Sequence, residues 1–241
     1  MRYTKLKVLF LVIGLLLIGV VGNTYAVTVP SEVSGLYNTG VDNNGSVLTA
    51  GTQDQHYTIT SYPSNYTTPP SATVMSPHPN YYSPTEEDKA AWIGPASSPT
   101  NEPPGDYTYT IKFNLTGYDP ESATITGDWA IDNWGEIYLN GNLITSRGSE
   151  TENKQFGSLE SFIIDSNFVS GINTLEFVVH NYGNSSSPTG LLVANLTLTA
   201  NPVPLPGAIW LLGSGVLGIS IISIRGLKRK NREYKSDFLL V

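Results

Sequence analysis

The chain contains no cysteine, so neither a disulfide frame nor a thiolate metal site can stabilise it. Basic residues are scarce in its middle. Residues 27–202 hold four Lys and Arg against eighteen Asp and Glu, a net charge of −14. Because phosphate binding needs a basic face, this composition argues against a nucleic-acid partner. The middle segment has about 175 residues, enough for one domain with its own core.

The motifs of common catalytic and metal sites are also missing. The sequence has no Gly-x-Ser-x-Gly elbow, no His-Glu-x-x-His and no phosphate loop. The spacing of His56, His78 and His180 is too wide for a metal site. Acids at residues 86–88 and at Asp42 offer calcium ligands, but they lack EF-hand spacing, and a solvated acidic turn is the preferred interpretation. We expect a non-enzymatic protein without metal or cofactor, although eighteen acids leave a glycosidase pair open.

Residues 1–26 have the three parts of a secretory signal peptide. A basic start is followed by an apolar stretch, and Thr24-Tyr25-Ala26 places small residues where a signal peptidase acts, so cleavage is expected after Ala26. The alternative is an uncleaved membrane anchor. In both cases the following domain is exported.

The C-terminal segment, residues 203–232, combines a proline motif, an uncharged apolar run and a basic cluster. The motif is Val203-Pro204-Leu205-Pro206-Gly207. As a helix, residues 208–224 would be about 25 Å long, the short end of what crosses a hydrocarbon core. The basic residues that follow predict a cytoplasmic end, with residues 233–241 as a cytoplasmic tail.

This order of parts resembles the PEP-CTERM protein-sorting signal in its VPLP-type variant. The resemblance implies an exosortase-type processing enzyme as a partner, and a location in the cell envelope, at the cell surface or in an extracellular biofilm matrix. The sequence departs from the commonest form of the signal at Gly207, where Ala is usual, and in its longer tail. A permanent single-pass membrane anchor is the alternative interpretation of this segment.

Alternating apolar residues predict β-strands in the second half of the middle segment, and no stretch there has a helical period with caps. An Asn140-Gly141 pair predicts a hairpin. Residues 27–104 are loop-rich, with short strands expected at 34–39 and 56–60, a wrapping loop over 61–84, and Trp92 in the core. The predicted fold is an all-β antiparallel sandwich or jelly roll, flanked by an N-terminal signal helix and a C-terminal transmembrane helix. The strands are expected at residues 107–115, 123–131, 136–144, 158–164, 173–180 and 191–199.

A second resemblance rests on three motifs. The hairpin within Asp128–Ile144, the Gly-x-Asn-x-Leu entry at Gly171–Val179 and the final Gly190–Val193 are similar to the later half of galactose-binding-like jelly-roll domains. The similarity covers about residues 107–200. It implies the fold more strongly than sugar binding, because domains of this kind bind many classes of ligand.

Four neighbouring residues form the candidate binding site: Trp129, Asp132, Asn133 and Trp134. An aromatic ring can stack on the C–H face of a sugar while a carboxylate and an amide bind its hydroxyl groups. His180 would add a second wall. The alternative, which we prefer, is that these residues have structural roles only. Trp129 would then point into the core and Asp132-Asn133 would cap a turn, with Trp134 as the more exposed ring.

The sequence therefore favours an exported, non-enzymatic cell-envelope or matrix protein with a jelly-roll interaction module for polysaccharide. One alternative is a structural surface protein without a small ligand. Another is a secreted carbohydrate-active enzyme.

Overall fold

The structure is a computed structural model that describes residues 29–66, 69–76, 78–98 and 101–204 of the 241-residue chain. Within these ranges no helix has the length and apolarity that crossing a membrane requires. The predicted signal helix, the transmembrane helix and residues 205–207 of the sorting motif lie outside the described residues. Val203 and Pro204 are included, and the Val203 amide donates to the Gly117 carbonyl at 2.8 Å.

The described part of the chain is all-β. Contacts within the chain separate a compact unit, Val27–Val203, from a second unit of the two terminal segments, nearly all of which is outside the described residues. The compact unit contains every described strand and both hydrophobic cores. The strands are β1 Ser31–Glu32, β2 Thr58–Ser61, β3 Thr73–Val74, β4 Ile93–Gly94, β5 Gly105–Asn114, β6 Tyr118–Asp132, β7 Trp134–Leu139, β8 Asn142–Arg147, β9 Glu160–Ile164, β10 Ile172–Asn181 and β11 Gly190–Pro202.

Two antiparallel sheets carry the fold. The first sheet has the order β3-β4-β11-β6-β9, with β1 also paired to β11, and the second has the order β2-β5-β10-β7-β8. Strands β4 to β11 thus divide into two sets of four, β4-β11-β6-β9 and β5-β10-β7-β8, which is the strand order of a jelly roll. The predicted β-sandwich is confirmed. The predicted hairpin also forms between β7 and β8, where Asn140 and Gly141 both have positive φ angles of 52° and 77°.

The main core lies between the two sheets. Strand residues that alternate inward from both sheets are buried together, among them Trp129 from β6 and Phe177 from β10, each 0% exposed. Their rings are 6.1 Å apart between centroids. The period-two pattern in the sequence therefore correctly predicts which strand residues face the core between the sheets.

A second apolar cluster covers the outer face of the first sheet. Residues 75–76 and 78–92, here called the covering segment, pack against the outward side of β6 and β11. Trp92 is 1% exposed and its Nε1 donates to the Tyr82 carbonyl at 2.8 Å. The prediction that Trp92 is a core residue is confirmed, although its core is this outer cluster. The members of the cluster are Met75, Tyr81, Ala90, Trp92, Ala130, Leu192 and Ala194.

A buried arginine links the sheets at one end. Arg147, at the end of β8 in the second sheet, donates through Nη1 to the Trp129 carbonyl in the first sheet and through Nη2 to the Ser158 carbonyl at 3.0 Å. Its Nε lies 3.3 Å from Glu160, whose carboxylate is half exposed. Burial lowers the pKa of Arg147, and the Glu160 charge opposes that shift. The guanidinium thus satisfies carbonyls that the ladder leaves free.

The predicted strand at residues 34–39 is wrong. This segment follows β11 with isolated bonds, Val33 N to the Leu198 carbonyl at 2.8 Å and Thr39 N to the Val193 carbonyl at 3.0 Å. Gly35 between them has a φ of +115°, a conformation that breaks a regular ladder. In the two acidic clusters, Asp42 accepts from the Asn44 and Ser46 N–H groups, and Asp88 accepts from the N–H and hydroxyl of Thr85.

The side chain of Trp92 determines how firmly the covering segment packs. Trp92→Ala removes a fully buried ring, so we expect the free energy of unfolding to fall by about 3–5 kcal/mol. Urea denaturation followed by circular dichroism measures it. Trp92→Phe, which keeps an aromatic ring but loses the bond to Tyr82, should cost less. A loss below about 1 kcal/mol for Trp92→Ala would contradict the packing of this segment.

Candidate functional site

A pocket of about 240 Å³ lies where β6 ends and the chain crosses to the second sheet. Four separate parts of the chain line it: the covering segment, the β6–β7 junction, the β8–β9 connection and the β10–β11 connection. No one of these parts forms a concave surface alone, so the pocket exists only in the folded domain. The described lining residues are His78, Asn80, Tyr81, Asp132, Asn133, Phe156, Ser187 and Pro188.

Asp132 supplies the charge of this pocket. It is the last residue of β6 and is 4% exposed. Its Oδ2 accepts a hydrogen bond from the Tyr81 hydroxyl at 2.5 Å, and its backbone carbonyl accepts from Thr189 Oγ1 at 2.7 Å. Its Oδ1 is buried and has no hydrogen-bond partner among the described residues. An unsatisfied buried acceptor costs about 1–3 kcal/mol, more when charged, so Oδ1 is where a ligand donor would gain most.

Burial controls the protonation of this pair. Removal from water raises the pKa of Asp132 to about 6, and the hydrogen bond from Tyr81 opposes that shift. Burial, followed by the nearby Asp132 charge, raises the pKa of Tyr81 far above its usual value. The phenol therefore remains a donor at every physiological pH, while the carboxyl changes charge near pH 6.

Aromatic rings form the apolar side of the pocket. The centroid of the Tyr81 ring lies 5.4 Å from that of Phe156, at an interplanar angle of 27°. The centroid of the Trp92 ring lies 4.5 Å from that of Tyr81. His78 lies 5.8 Å from Tyr81. Phe156 is half-buried, whereas Tyr81 is 7% exposed. Trp92 thus supports Tyr81, and Phe156 offers the more accessible ring.

Asn133 is held by the chain around it. Its backbone N–H donates to the His180 carbonyl at 3.0 Å, and its side-chain Oδ1 accepts from the Tyr182 N–H at 2.7 Å. Its backbone carbonyl accepts from the Gln155 N–H at 3.1 Å. The peptide bond between Asp132 and Asn133 is cis. These contacts fix the β6–β7 junction against the β8–β9 and β10–β11 connections that complete the pocket.

Trp134 and His180 belong to a different surface. Both are on the outer face of the second sheet, on paired positions of β7 and β10. Their rings stack with centroids 3.5 Å apart. His180 Nδ1 lies 2.6 Å from an Asp106 oxygen and its Nε2 lies 3.9 Å from Glu136. Trp134 and His180 thus form a cluster with two acidic neighbours on the outer sheet face, and neither residue is among the described lining of the Asp132 pocket.

The structure therefore divides the predicted site into three places. Trp129 is fully buried in the main core. This corrects its assignment as a ligand contact and agrees with the alternative that Trp129 is a core residue. Asp132 and Asn133 line the pocket, and Trp134 and His180 lie on the outer sheet face. No pattern in the sequence indicates Tyr81 or Phe156, because both lie in irregular segments without periodicity.

Comparisons with known proteins leave the family open. No protein-family model matches the chain, and no curated protein matches its sequence. Among solved structures, a family 35 carbohydrate binding module from Clostridium thermocellum is 11% identical, covers 53% of this chain and 86% of its own length, and has a TM-score of 0.31. CBM35 from Paenibacillus barcinonensis is 16% identical, with coverage of 59% and 92% and a TM-score of 0.31. A beta-D-glucuronidase from Dictyoglomus thermophilum is 15% identical, with coverage of 74% and 29% and a TM-score of 0.31. These values are too low to assign a function, which is argued from the residues instead.

The raised pKa of Asp132 predicts an unusual pH dependence of stability. Between about pH 4 and pH 6 the folded carboxyl binds more protons than the unfolded one, so the free energy of unfolding should fall as the pH rises through that window. The loss is up to roughly 3 kcal/mol and persists above pH 6. Urea denaturation at several pH values measures it.

Asp132→Asn is the matched control for this prediction, because it keeps the shape and stays neutral. The variant should match the wild type near pH 4 and exceed it in stability at pH 7. Equal stability of the two proteins across the range would show that Asp132 is not buried as a charge.

Proposed function

We propose that residues 27–203 form a non-enzymatic saccharide-binding module, and that the Asp132 pocket holds one sugar ring of a polysaccharide. The observation that carries the proposal is the Asp132 carboxyl group, which lines an aromatic-bordered pocket and whose buried Oδ1 has no described protein partner. A sugar hydroxyl group that reached this oxygen would supply the donor that it lacks.

The rest of the lining supports the same ligand class. Sugar rings carry an apolar C–H face and a rim of hydroxyl groups. The pocket lining combines the apolar side chains of Phe156 and Pro188 with the polar groups of Asp132, Asn80 and Ser187. At about 240 Å³ the pocket lies below the usual range of about 300–1,000 Å³ for drug-sized ligands. A single ring fits this volume better than a chain segment does.

The choice of a binding module over an enzyme is part of the proposal. Hydrolysis of a glycosidic bond usually needs two carboxyl groups about 5–10 Å apart. Asp132 is the one carboxylic acid among the described lining residues of this pocket. Its pKa of about 6 suits a general acid, but that role lacks its second carboxyl partner here.

Export and sorting are proposed on the terminal segments of the sequence. The signal-peptide pattern of residues 1–26 and the resemblance of residues 203–232 to a PEP-CTERM signal support an exosortase-sorted protein of the cell envelope, cell surface or biofilm matrix. An exported polysaccharide-binding module would meet its ligand in that location.

Binding should depend on the Asp132 carboxylate. Asp132→Asn replaces a charged acceptor by a neutral one, so we expect polysaccharide binding to weaken about 10- to 100-fold at pH 7.5. Affinity electrophoresis of residues 27–203 through gels containing xylan, galactomannan, laminarin or dextran measures it. Wild-type binding should also weaken below pH 6, where Asp132 gains its proton.

Two variants serve as controls for this experiment. Asp165→Asn makes the same chemical change at an exposed position after β9 and should bind like the wild type. Trp134→Ala, on the outer face of the second sheet, should leave binding in this pocket unchanged. Equal binding by Asp132→Asn and the wild type, or strong loss in Trp134→Ala alone, would contradict the proposed pocket.

The sorting proposal predicts the ends of the mature protein. Mass spectrometry of the protein from its native host should find an N-terminus at Val27 and a C-terminus near residues 203–207. A mature C-terminus beyond Arg232 would instead establish a permanent membrane anchor.

A further inference from the structure

A larger cleft lies on the opposite edge of the second sheet from β8, where β2 pairs with β5. Its volume is about 490 Å³, roughly twice that of the Asp132 pocket, and the two share no lining residue. We propose that this cleft, here called the edge cleft, is a second saccharide site that takes a segment of an uncharged polysaccharide strand. The inference rests on the proposed function, that the domain binds saccharides. The side chains that carry it are Tyr37, Gln55, His56, Thr58, Thr60 and Lys112.

Two stacked rings form the aromatic part of the edge cleft. Tyr37 and His56 lie parallel, with centroids 3.6 Å apart and an interplanar angle of 3°, and both are half-buried. Hydrogen bonds fix the backbone at each of these two positions. The hydroxyl of buried Tyr57 donates to the Tyr37 carbonyl at 2.9 Å, and the His56 N–H donates to buried Asp54 at 2.8 Å. The backbone at both ring positions is therefore held in place before any ligand arrives, which lowers the cost of binding.

One ring atom in the edge cleft has no described partner. His56 Nε2 is buried and forms no hydrogen bond with any described residue. Nε2 can donate or accept depending on the tautomer, so it can pair with a sugar hydroxyl in either sense.

Hydroxyl groups line the adjoining strand faces. Thr58 and Thr60 point outward from β2, and the Thr60 hydroxyl lies 2.7 Å from that of Thr110 on β5. Exposed Gln55 adds an amide, and exposed Lys112 forms no ion pair with a described residue. This mixture of donors and acceptors matches the hydroxyl groups of a sugar, which both donate and accept.

The charge of the domain selects an uncharged strand. A net charge of −14 over residues 27–202 repels a polyanion, and the Asp54 carboxylate accepts from the His56 N–H beside the cleft. A single lysine does not reverse that field. The volume of about 490 Å³ lies within the usual range for ligand sites, so it accepts more than the single ring proposed for the Asp132 pocket.

Strand register separates the two sites. Asp106 on β5 pairs with His180, whose carbonyl accepts from Asn133 at the Asp132 pocket. Thr110 and Lys112 of the edge cleft are four and six residues further along β5, about 14–20 Å away at the usual strand rise. One domain would therefore bind two strands, and in a polysaccharide matrix it would cross-link them.

The test counts ligands per domain. Isothermal titration of residues 27–203 with cello-, xylo-, manno- and laminaritriose should identify a sugar that binds with two molecules per domain. Gln55→Ala combined with Lys112→Ala should reduce the number to one. Asp132→Asn should also leave one, and the triple variant should bind none. Lys154→Ala, at an exposed lysine outside both sites, should still bind two.

The outcomes separate this inference from the proposed function. A single molecule per domain that Asp132→Asn abolishes would overturn the edge cleft and leave the Asp132 pocket intact. A single molecule lost only in the Gln55/Lys112 variant would overturn the pocket and support the cleft. Tighter binding of alginate than of every uncharged polysaccharide would overturn the ligand class. Since both mutated cleft residues are exposed, an unchanged thermal unfolding midpoint confirms that the variant is folded.

Discussion

Where β6 ends and β11 begins, the first sheet must bury both of its faces, and the rest of the structure depends on that requirement. Its inner face packs on the second sheet, while Ala130, Leu192 and Ala194 make its outer face apolar at this end as well. A sheet with two apolar faces needs a layer on each side. The chain meets this need with the covering segment, and Trp92 is the largest side chain that it contributes.

Covering the sheet also creates the pocket. Tyr81 lies 51 positions from Asp132 in the sequence, yet the covering segment brings its hydroxyl to the carboxylate at 2.5 Å. Trp92 supports the Tyr81 ring at 4.5 Å from behind. The same burial that stabilises the outer cluster removes Asp132 from water and raises its pKa to about 6. Packing and the chemistry of the pocket are therefore one arrangement of side chains, and a change in Trp92 acts on both.

The inner face of the sandwich can be predicted from the sequence, but the layer over the outer face of the first sheet cannot. Alternation in β5, β7 and β10 predicts their strands, and the Asn140-Gly141 pair predicts the hairpin, because both signals are local. The covering segment has no period, since its contacts with β6 and β11 are made one side chain at a time across long sequence separations. Trp92 could be predicted as buried from its residue type. The position of Tyr81 and Phe156 in the pocket could not be predicted, because it depends on contacts between segments far apart in the sequence.

The predicted site failed as a group for a topological reason. Asp132 ends a strand of the first sheet, and Trp134 begins a strand of the second, so a single residue, Asn133, carries the chain between the sheets. Side chains on either side of such a crossing belong to different surfaces although they are neighbours in sequence. Trp134 turns to the outer face of the second sheet and stacks on His180, whereas Asp132 stays with the first sheet beneath the covering segment.

The two sheets consequently offer different kinds of binding surface. The covering segment closes the outer face of the first sheet around Ala130, Leu192 and Ala194, and the Asp132 pocket at this end is small and contains a buried carboxyl group. The outer face of the second sheet has no such layer among the described residues, and its edge presents threonine hydroxyls with a stacked ring pair. A buried carboxylate suits tight recognition of one ring, because each missing donor is costly. An exposed row of hydroxyl groups suits a longer polysaccharide strand that makes many weak contacts. Each contact replaces a hydrogen bond to water and therefore adds little binding free energy. The asymmetry between the sheets would therefore account for the unequal size of the two proposed sites on one small domain.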